Sequence, residues 1–338
     1  MPIRYCRMQP ASVIIVIGAS VGGVAALQAL VQALPADLAA AVFIVLHTGA
    51  HKSELPNLLT GKGPLPAIHP ATGNQIYAGH IYVAPPDHHL LVEPGRVRLS
   101  KGPRENWARP AIDPLFRSAA SAYGSMVIGV ILTGALNDGT AGLFQVARHG
   151  GTTVVQDPRE AENPSMPRSA LAHVRVDHCV ALQSLAPLLV RLVDEKLAPV
   201  SARRGTRPPT TGKKGREMTS DYTHDRPVAV TCPDCGGALR QSKLGTLSQF
   251  RCHIGHVYTG EVMMRAQFHA LEQSLELALR ALGERRELCR QMAELADAEA
   301  LAATEWEAAE NEAAEQGLAL QKIVEREWIQ PSGPNLVS

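Results

Sequence analysis

Ile14-Ile15-Val16-Ile17-Gly18-Ala19-Ser20-Val21-Gly22-Gly23 runs an aliphatic strand straight into a glycine turn. Four aliphatic residues in a row present no polar face to water, so they predict a strand buried on both sides in a parallel sheet. Val24, Leu27, Val31 and Leu34 follow at helical spacing, which predicts an amphipathic helix with these four on its inner face. Strand, turn and helix together admit two chemistries. A dinucleotide fingerprint requires Gly-x-Gly-x-x-Gly, but Ser20 occupies its second glycine position. The next strand, Val42 to Leu46, ends in His47 rather than in an acid that would hold a ribose. The Gly-x-Ser-x-Gly pattern of a nucleophile elbow is met by Gly18, Ser20 and Gly22. Its glycines permit a tight turn that presents the Ser20 hydroxyl at a helix N-terminus, where free N–H groups and the helix dipole favour a developing anion. A plain turn that happens to contain a serine fits the same five residues.

Outward from this turn, strand-length apolar runs recur at 13–17, 42–46, 127–132 and 152–156, with helical segments between them. A hairpin-like region near 80–100 surrounds the turn Glu93-Pro94-Gly95-Arg96. Alternating strands and helices predict an α/β domain over 12–195, a doubly wound and mostly parallel sheet. Asp113-Pro114-Leu115-Phe116 reads as a helix start, with Asp113 as N-cap and Pro114 in the first helical position.

Three polar residues fall at the carboxyl ends of different strands: Ser20 after the first, His47 after the second, and Asp138 in the loop after 127–132. In a parallel sheet those ends open on one crevice, where such folds bind ligands. Hydroxyl, imidazole and carboxylate converging there are the parts of a hydrolytic triad: nucleophile, general base, and orienter of the base. Each is ordinary alone. A loop histidine often only caps or hydrogen-bonds, His51 is a rival base, and Asn137-Asp138-Gly139 is a turn signature in its own right.

The series Gly18-Ala19-Ser20-Val21-Gly22-Gly23, His47, Arg109-Pro110-Ala111-Ile112-Asp113, Leu132-Thr133-Gly134-Ala135-Leu136-Asn137-Asp138-Gly139 and Met166-Pro167-Arg168 resembles the catalytic domain of CheB-type chemotaxis receptor methylesterases. The resemblance implies that Ser20 attacks the γ-carbonyl of a methylated glutamate on a chemoreceptor helix. His47 would take the serine proton and pass it to methanol, Asp138 would hold the imidazolium, and no cofactor would be needed. The same chemistry on glutamine would release ammonia. Backbone N–H groups of Val21 and Ala135 would face the oxyanion. Two departures stand out. The family's Thr-Gly-Met-Gly is Thr133-Gly134-Ala135-Leu136 here, and leucine for glycine strains any position of positive φ. Val21, where the family has a small residue or threonine, is expected to narrow the mouth. The first strand starts too early for a preceding receiver domain, so direct phosphorylation control is not expected. A rival reading is a methylesterase-like scaffold that binds receptor or partner proteins without turnover. A nucleotide-binding module is the other, disfavoured by the incomplete fingerprint.

Beyond the α/β domain, 196–228 is rich in Pro, Gly, Arg and Lys and reads as a flexible basic linker. Cys232-Pro-Asp-Cys235 and Cys252-His-Ile-Gly-His256 then supply two knuckles around a hairpin, within a zinc-ribbon-like segment at 229–260. Cys-x2-Cys lets two thiolates approach one zinc, and Cys252 with His256 completes a closed, structural Cys3His set. Similar tails accompany some methylesterase-like proteins. Residues 261–330, rich in Ala, Glu, Leu and Arg, read as a helical hairpin that packs on itself or pairs with a second copy. Over the 338 residues, 45% are hydrophobic, 19% are charged and the net charge is +1, which argues against a general nucleic-acid binder. No apolar run approaches the roughly 20 residues of a membrane span, no export signal is evident, and the cysteines suit a metal site in a reducing compartment. A cytoplasmic protein is expected.

Overall fold

The computed structural model describes residues 9–47, 53–198, 222–295, 300–326 and 328. Contacts divide the chain into two units, Met1–Val262 and Met263–Ser338. The first unit opens with β1 (Val13–Ala19), α1 (Gly23–Ala33), β2 (Ala40–Leu46), α2 (Leu55–Thr60), β3 (Ala67–Ile68) and β4 (Ile81–Val83). A hairpin of β5 (His89–Glu93) and β6 (Arg96–Ser100) leads to α3 (Ile112–Tyr123), β7 (Val127–Ile131), α4 (Thr140–Arg148) and β8 (Thr152–Gln156). The α/β part closes with α5 (Ser165–His173), β9 (His178–Val180) and α6 (Leu182–Leu197).

Seven strands form one sheet in the order β3-β4-β2-β1-β7-β8-β9, and every neighbouring pair in it is parallel. Successive side chains of β1 alternate between faces. Val13, Ile15, Ile17 and Ala19 join Leu27, Leu30 and Val31 of α1 and Leu185, Leu189 and Leu192 of α6. Ile14 and Val16 join Leu115 and Phe116 of α3, Leu143 and Val146 of α4, and Met166 of α5. Helices on both faces explain why β1 and β2 have no polar position, since all fourteen of their residues are buried. The sheet is doubly wound, and its strand order reverses at β1.

Two local expectations are corrected. Val24 is 42% exposed rather than on the inner face of α1, which is built from Ala26, Leu27, Leu30 and Val31. It lies in the first turn, at the strand-end rim, where it lines a pocket instead of the core. Asp113 is not an N-cap. Ala111 holds that position, and Asp113 is fully buried in the first turn of α3. A carboxylate there is drawn inward because Gly142 N–H and the Asn106 amide both donate to it, at 2.6 and 2.7 Å.

Strand pairing resumes at β10 (Tyr222–Thr231), inside the stretch expected to be linker; 199–221 lies outside the described residues. With β11 (Ala238–Leu244), β12 (Leu247–Cys252) and β13 (Val257–Thr259) it makes a four-stranded antiparallel sheet in chain order. The hairpin expected between the knuckles is β11–β12, turning at Gly245 with φ +61°. This small sheet is docked on the α/β part. Leu244 and Leu247 pack with Ala141 and Phe144 of α4, and Thr246 Oγ1 lies 2.7 Å from His173 Nδ1.

α7 (Gly260–Leu295) carries the chain into the second unit, and α8 (Ala300–Val324) follows. Arg286 pairs with Glu310, and Phe268 meets Trp328 edge to face, so the chain returns along α7. No helix among the described residues is long and apolar enough to cross a membrane.

Candidate active site

The strand register brings two of the three expected residues together. Ala19 is level with Leu46, so Ser20 and His47 leave adjacent strands at the same height, and His47 N–H donates to Ala19 O at 3.3 Å. On the other side Ser20 N–H donates to Thr133 O at 3.0 Å, extending the β1–β7 ladder past its end. Ser20 is thereby clamped between the loops after β2 and β7. The left-handed residue of this turn is Gly22, at φ +75°, and a Cβ there would lie 2.6 Å from the Glu162 carboxylate. Gly134 is equally constrained. Its missing Cβ would fall 2.1 Å from Met166 Sδ and 2.9 Å from Ser20 Cβ, so Ser20 packs against bare backbone. Ser20, His47, Val24 and Glu162 line one pocket of about 310 Å³.

Asp138 lies behind His47, only 3% exposed. Its Oδ2 accepts from His47 Nε2 at 2.9 Å and from Ile112 N–H at 2.6 Å. Its Oδ1 accepts from the Asn106 amide at 2.8 Å, Gly139 N–H at 3.0 Å and Asp113 N–H at 3.3 Å. Ile112 and Asp113 open α3, so the carboxylate sits at the positive end of that helix and uses two of its unpaired N–H groups. Burial alone would push Asp138 up. The hydrogen bond and charge of His47, the Ile112 N–H and the Asn106 amide outweigh it and hold the carboxyl below its ordinary 3.8. Asp113 is driven the other way, well above 3.8, by burial first and by the charge on Asp138 second. Of two buried carboxyls sharing one amide, Asp138 is the one that keeps its charge. An ionised Asp138 accepts the Nε2 proton, which leaves Nδ1 of His47 as the basic nitrogen.

The N–H groups expected at the oxyanion, Val21 and Ala135, donate to no acceptor among the described residues. Val21 itself is 48% exposed and does not line the pocket, so the expected narrowing is not seen. Leu136 does stand at positive φ, +64°, in the loop where the family's glycine was expected. Thr133 braces the same loop: its hydroxyl donates to Val21 O at 2.9 Å and accepts from Asn163 N–H at 2.8 Å. His51 lies outside the described residues.

A family profile described as CheB methylesterase matches residues 15–189. The chain belongs to this family. An Anaeromyxobacter dehalogenans relative, named protein-glutamate methylesterase/protein-glutamine glutaminase 2, is 34% identical over 192 residues, 56% of this chain and 55% of the relative. A Leptospira interrogans protein, provisionally named for the same pair of activities, is 40% identical over 185 residues, 54% of this chain and 96% of the relative. The chain thus spans nearly all of the second relative and about half of the first. The solved Thermotoga maritima CheB methylesterase catalytic domain is 32% identical, with a TM-score of 0.51, over 53% of this chain and 98% of that one. These likenesses cover the domain that carries Ser20, His47 and Asp138.

A second cluster gathers Cys232, Cys235, Cys252 and His256, whose ligand atoms all lie within 4.8 Å of one another. Cys235 Sγ and Cys252 Sγ are 3.8 Å apart, and His256 Nδ1 is 3.5 Å from Cys252 Sγ and 3.6 Å from Cys232 Sγ. A tetrahedral zinc with usual bond lengths requires S···S edges of about 3.8 Å and S···N edges of about 3.6 Å. The donor set fits zinc. Glycines in left-handed geometry shape both knuckles, Gly236 at φ +68° and Gly255 at +110°. His256 N–H also donates to Cys252 Sγ, as thiolate ligands commonly accept.

Asn106 escaped the sequence reading because it belongs to no spaced chemical pattern, and Thr133 entered it only as part of the resembling loop, with no role of its own. The signal for Asn106 is its place in a glycine- and proline-flanked loop shortly before Arg109-Pro110, where a short amide tolerates positive φ, here +49°.

Proposed function

We propose that the chain hydrolyses methyl esters of protein glutamate side chains, with a methylated chemoreceptor as substrate, and deamidates glutamine by the same route. The observation that carries this reading is the His47–Asp138 hydrogen bond, set beside a pocket that holds both His47 and Ser20. Asp138, ionised at the start of α3, keeps the imidazole proton on Nε2. Nδ1 then withdraws the Ser20 proton as Oγ attacks the ester carbonyl. The oxyanion of the tetrahedral adduct is received by the N–H groups of Val21 and Ala135. Collapse of the adduct breaks the bond to the methoxy oxygen, which leaves as methanol with the proton from His47. Water, deprotonated by His47, releases the glutamate and restores Ser20.

The Cys232–Cys235–Cys252–His256 set is assigned to one structural zinc. Four protein ligands close the coordination shell, so the ion would hold the knuckles together and leave no position for substrate. The segment is read as a zinc ribbon, and α7 with α8 as a helical hairpin able to self-associate. The protein is placed in the cytoplasm.

The test is a fluorophosphonate probe alongside methanol release from methylated receptor. Wild type should be labelled, and Ser20→Ala should lose labelling and about a million-fold in turnover if the triad acts as a unit. Activity unchanged in Ser20→Ala overturns the assignment.

A further inference from the structure

The small C-terminal sheet reaches the back of the triad. Asn106 N–H donates to Val257 O of β13 at 2.7 Å, and Glu105 and Val257 form a parallel bridge. Two residues further along β13, Thr259 N–H donates to Oδ1 of the same Asn106 at 3.1 Å. Asn106 Nδ2 spends its two protons on Asp138 Oδ1 and Asp113 Oδ2. The Thr259 hydroxyl donates to Asn137 Oδ1 at 2.6 Å, on the residue that precedes Asp138. Asn106, Asn137, Asp138 and Thr259 are at most 5% exposed, so water cannot replace any of these partners. An amide can face either way in such a site. The Thr259 N–H, by occupying Oδ1, joins the charge on Asp138 in turning the Asn106 NH2 rather than its oxygen toward the carboxylates.

We propose that Thr259 is a positioning residue for ester hydrolysis: β13 holds Asn106 and Asn137, these hold Asp138, and Asp138 holds His47. The inference rests on the triad reading above. It makes the metal-binding segment a part of the catalytic frame, standing 121 residues downstream of Asp138 yet in contact with its neighbours.

The experiment compares full-length wild type, Thr259→Val and Thr259→Ser. Valine keeps the shape and removes the hydroxyl, leaving Asn137 Oδ1 unpartnered beside Asp138; serine restores the hydroxyl. Thr259→Val should lose about tenfold in kcat. Its KM should stay within about twofold, since no substrate contact changes. The downfield proton resonance of His47 Nε2–H should shift or broaden, and Thr259→Ser should recover both signals. Wild-type kcat and an unmoved His47 resonance in Thr259→Val overturn the proposal. If Thr259→Val fails to fold, Asn106→Ser is read instead, where unchanged kcat and resonance overturn it equally. A wild type without Ser20-dependent turnover but with a His47 resonance sensitive to Thr259→Val would sink the hydrolase reading and leave this coupling standing.

Discussion

Asp138→Asn tests the site most severely, because five hydrogen-bond donors converge on that carboxylate and an amide offers one acceptor oxygen in place of two. If the new NH2 replaced Oδ1, it would meet the Asn106 amide and two backbone N–H groups, none of which can turn away. If it replaced Oδ2, it would meet Ile112 N–H and His47. The second arrangement costs less, because the imidazole can move its proton to Nδ1 and accept at Nε2. One buried backbone donor, Ile112 N–H, then faces another donor, at about 1–3 kcal/mol. The charge at the start of α3 is also lost, at about 0.3–1 kcal/mol and up to about 2 in a buried setting. We therefore expect roughly 2–4 kcal/mol of destabilisation, read as a lowered urea midpoint at unchanged slope. The catalytic effect is larger. With its proton on Nδ1, His47 can no longer take the Ser20 proton, and the wrong tautomer in a serine protease costs on the order of 10⁴ in kcat. Methanol release at saturating methylated receptor measures it. An Asn variant that turns over within tenfold of wild type would refute the assigned tautomer and the role of Asp138.

Two further outcomes follow from the buried groups. The folded value of Asp113 is raised, so between about pH 4 and that value the native chain keeps a proton the unfolded chain has lost. Unfolding then releases a proton, and stability falls as pH rises through this window. The stability difference between wild type and Asp113→Asn should decline from about pH 4 upward in urea titrations, and a flat difference would reject the protonated assignment. Metal analysis of the full chain should give one zinc per chain, falling in Cys252→Ser along with thermal stability; ion binding of about 10–16 kcal/mol is available to such a site. Zinc well below one per chain, unaffected by that substitution, would reject the metal reading.

Much of the α/β domain was legible because a doubly wound sheet imposes a pattern on the chain. β1 and β2 are covered by helices on both faces, so neither can contain a polar residue, and such runs are visible without coordinates. β3, β4 and β9 were missed because two or three residues carry no readable period. Val24 was assigned to the core because helical spacing reports angle and not depth, and the first turn of α1 overhangs the pocket. Asp113 was taken for an N-cap because its neighbour is a proline, and its true partners, Asn106 in the preceding loop and Gly142 in α4, follow no helical spacing.

That Ser20, His47 and Asp138 lie near one another could be expected from order alone, since each follows a strand and parallel strands end on a common side. The cysteine knuckles were likewise readable, being short-range in sequence. The docking of β13 behind Asp138 was not. It depends on single hydrogen bonds between residues more than a hundred positions apart, and each of those residues looks like any other polar residue in a loop. Local spacing encodes periodic burial and short-range ligand sets. Which way a buried amide faces, and which of two carboxyls keeps its charge, are settled where distant backbone segments are packed together out of reach of water.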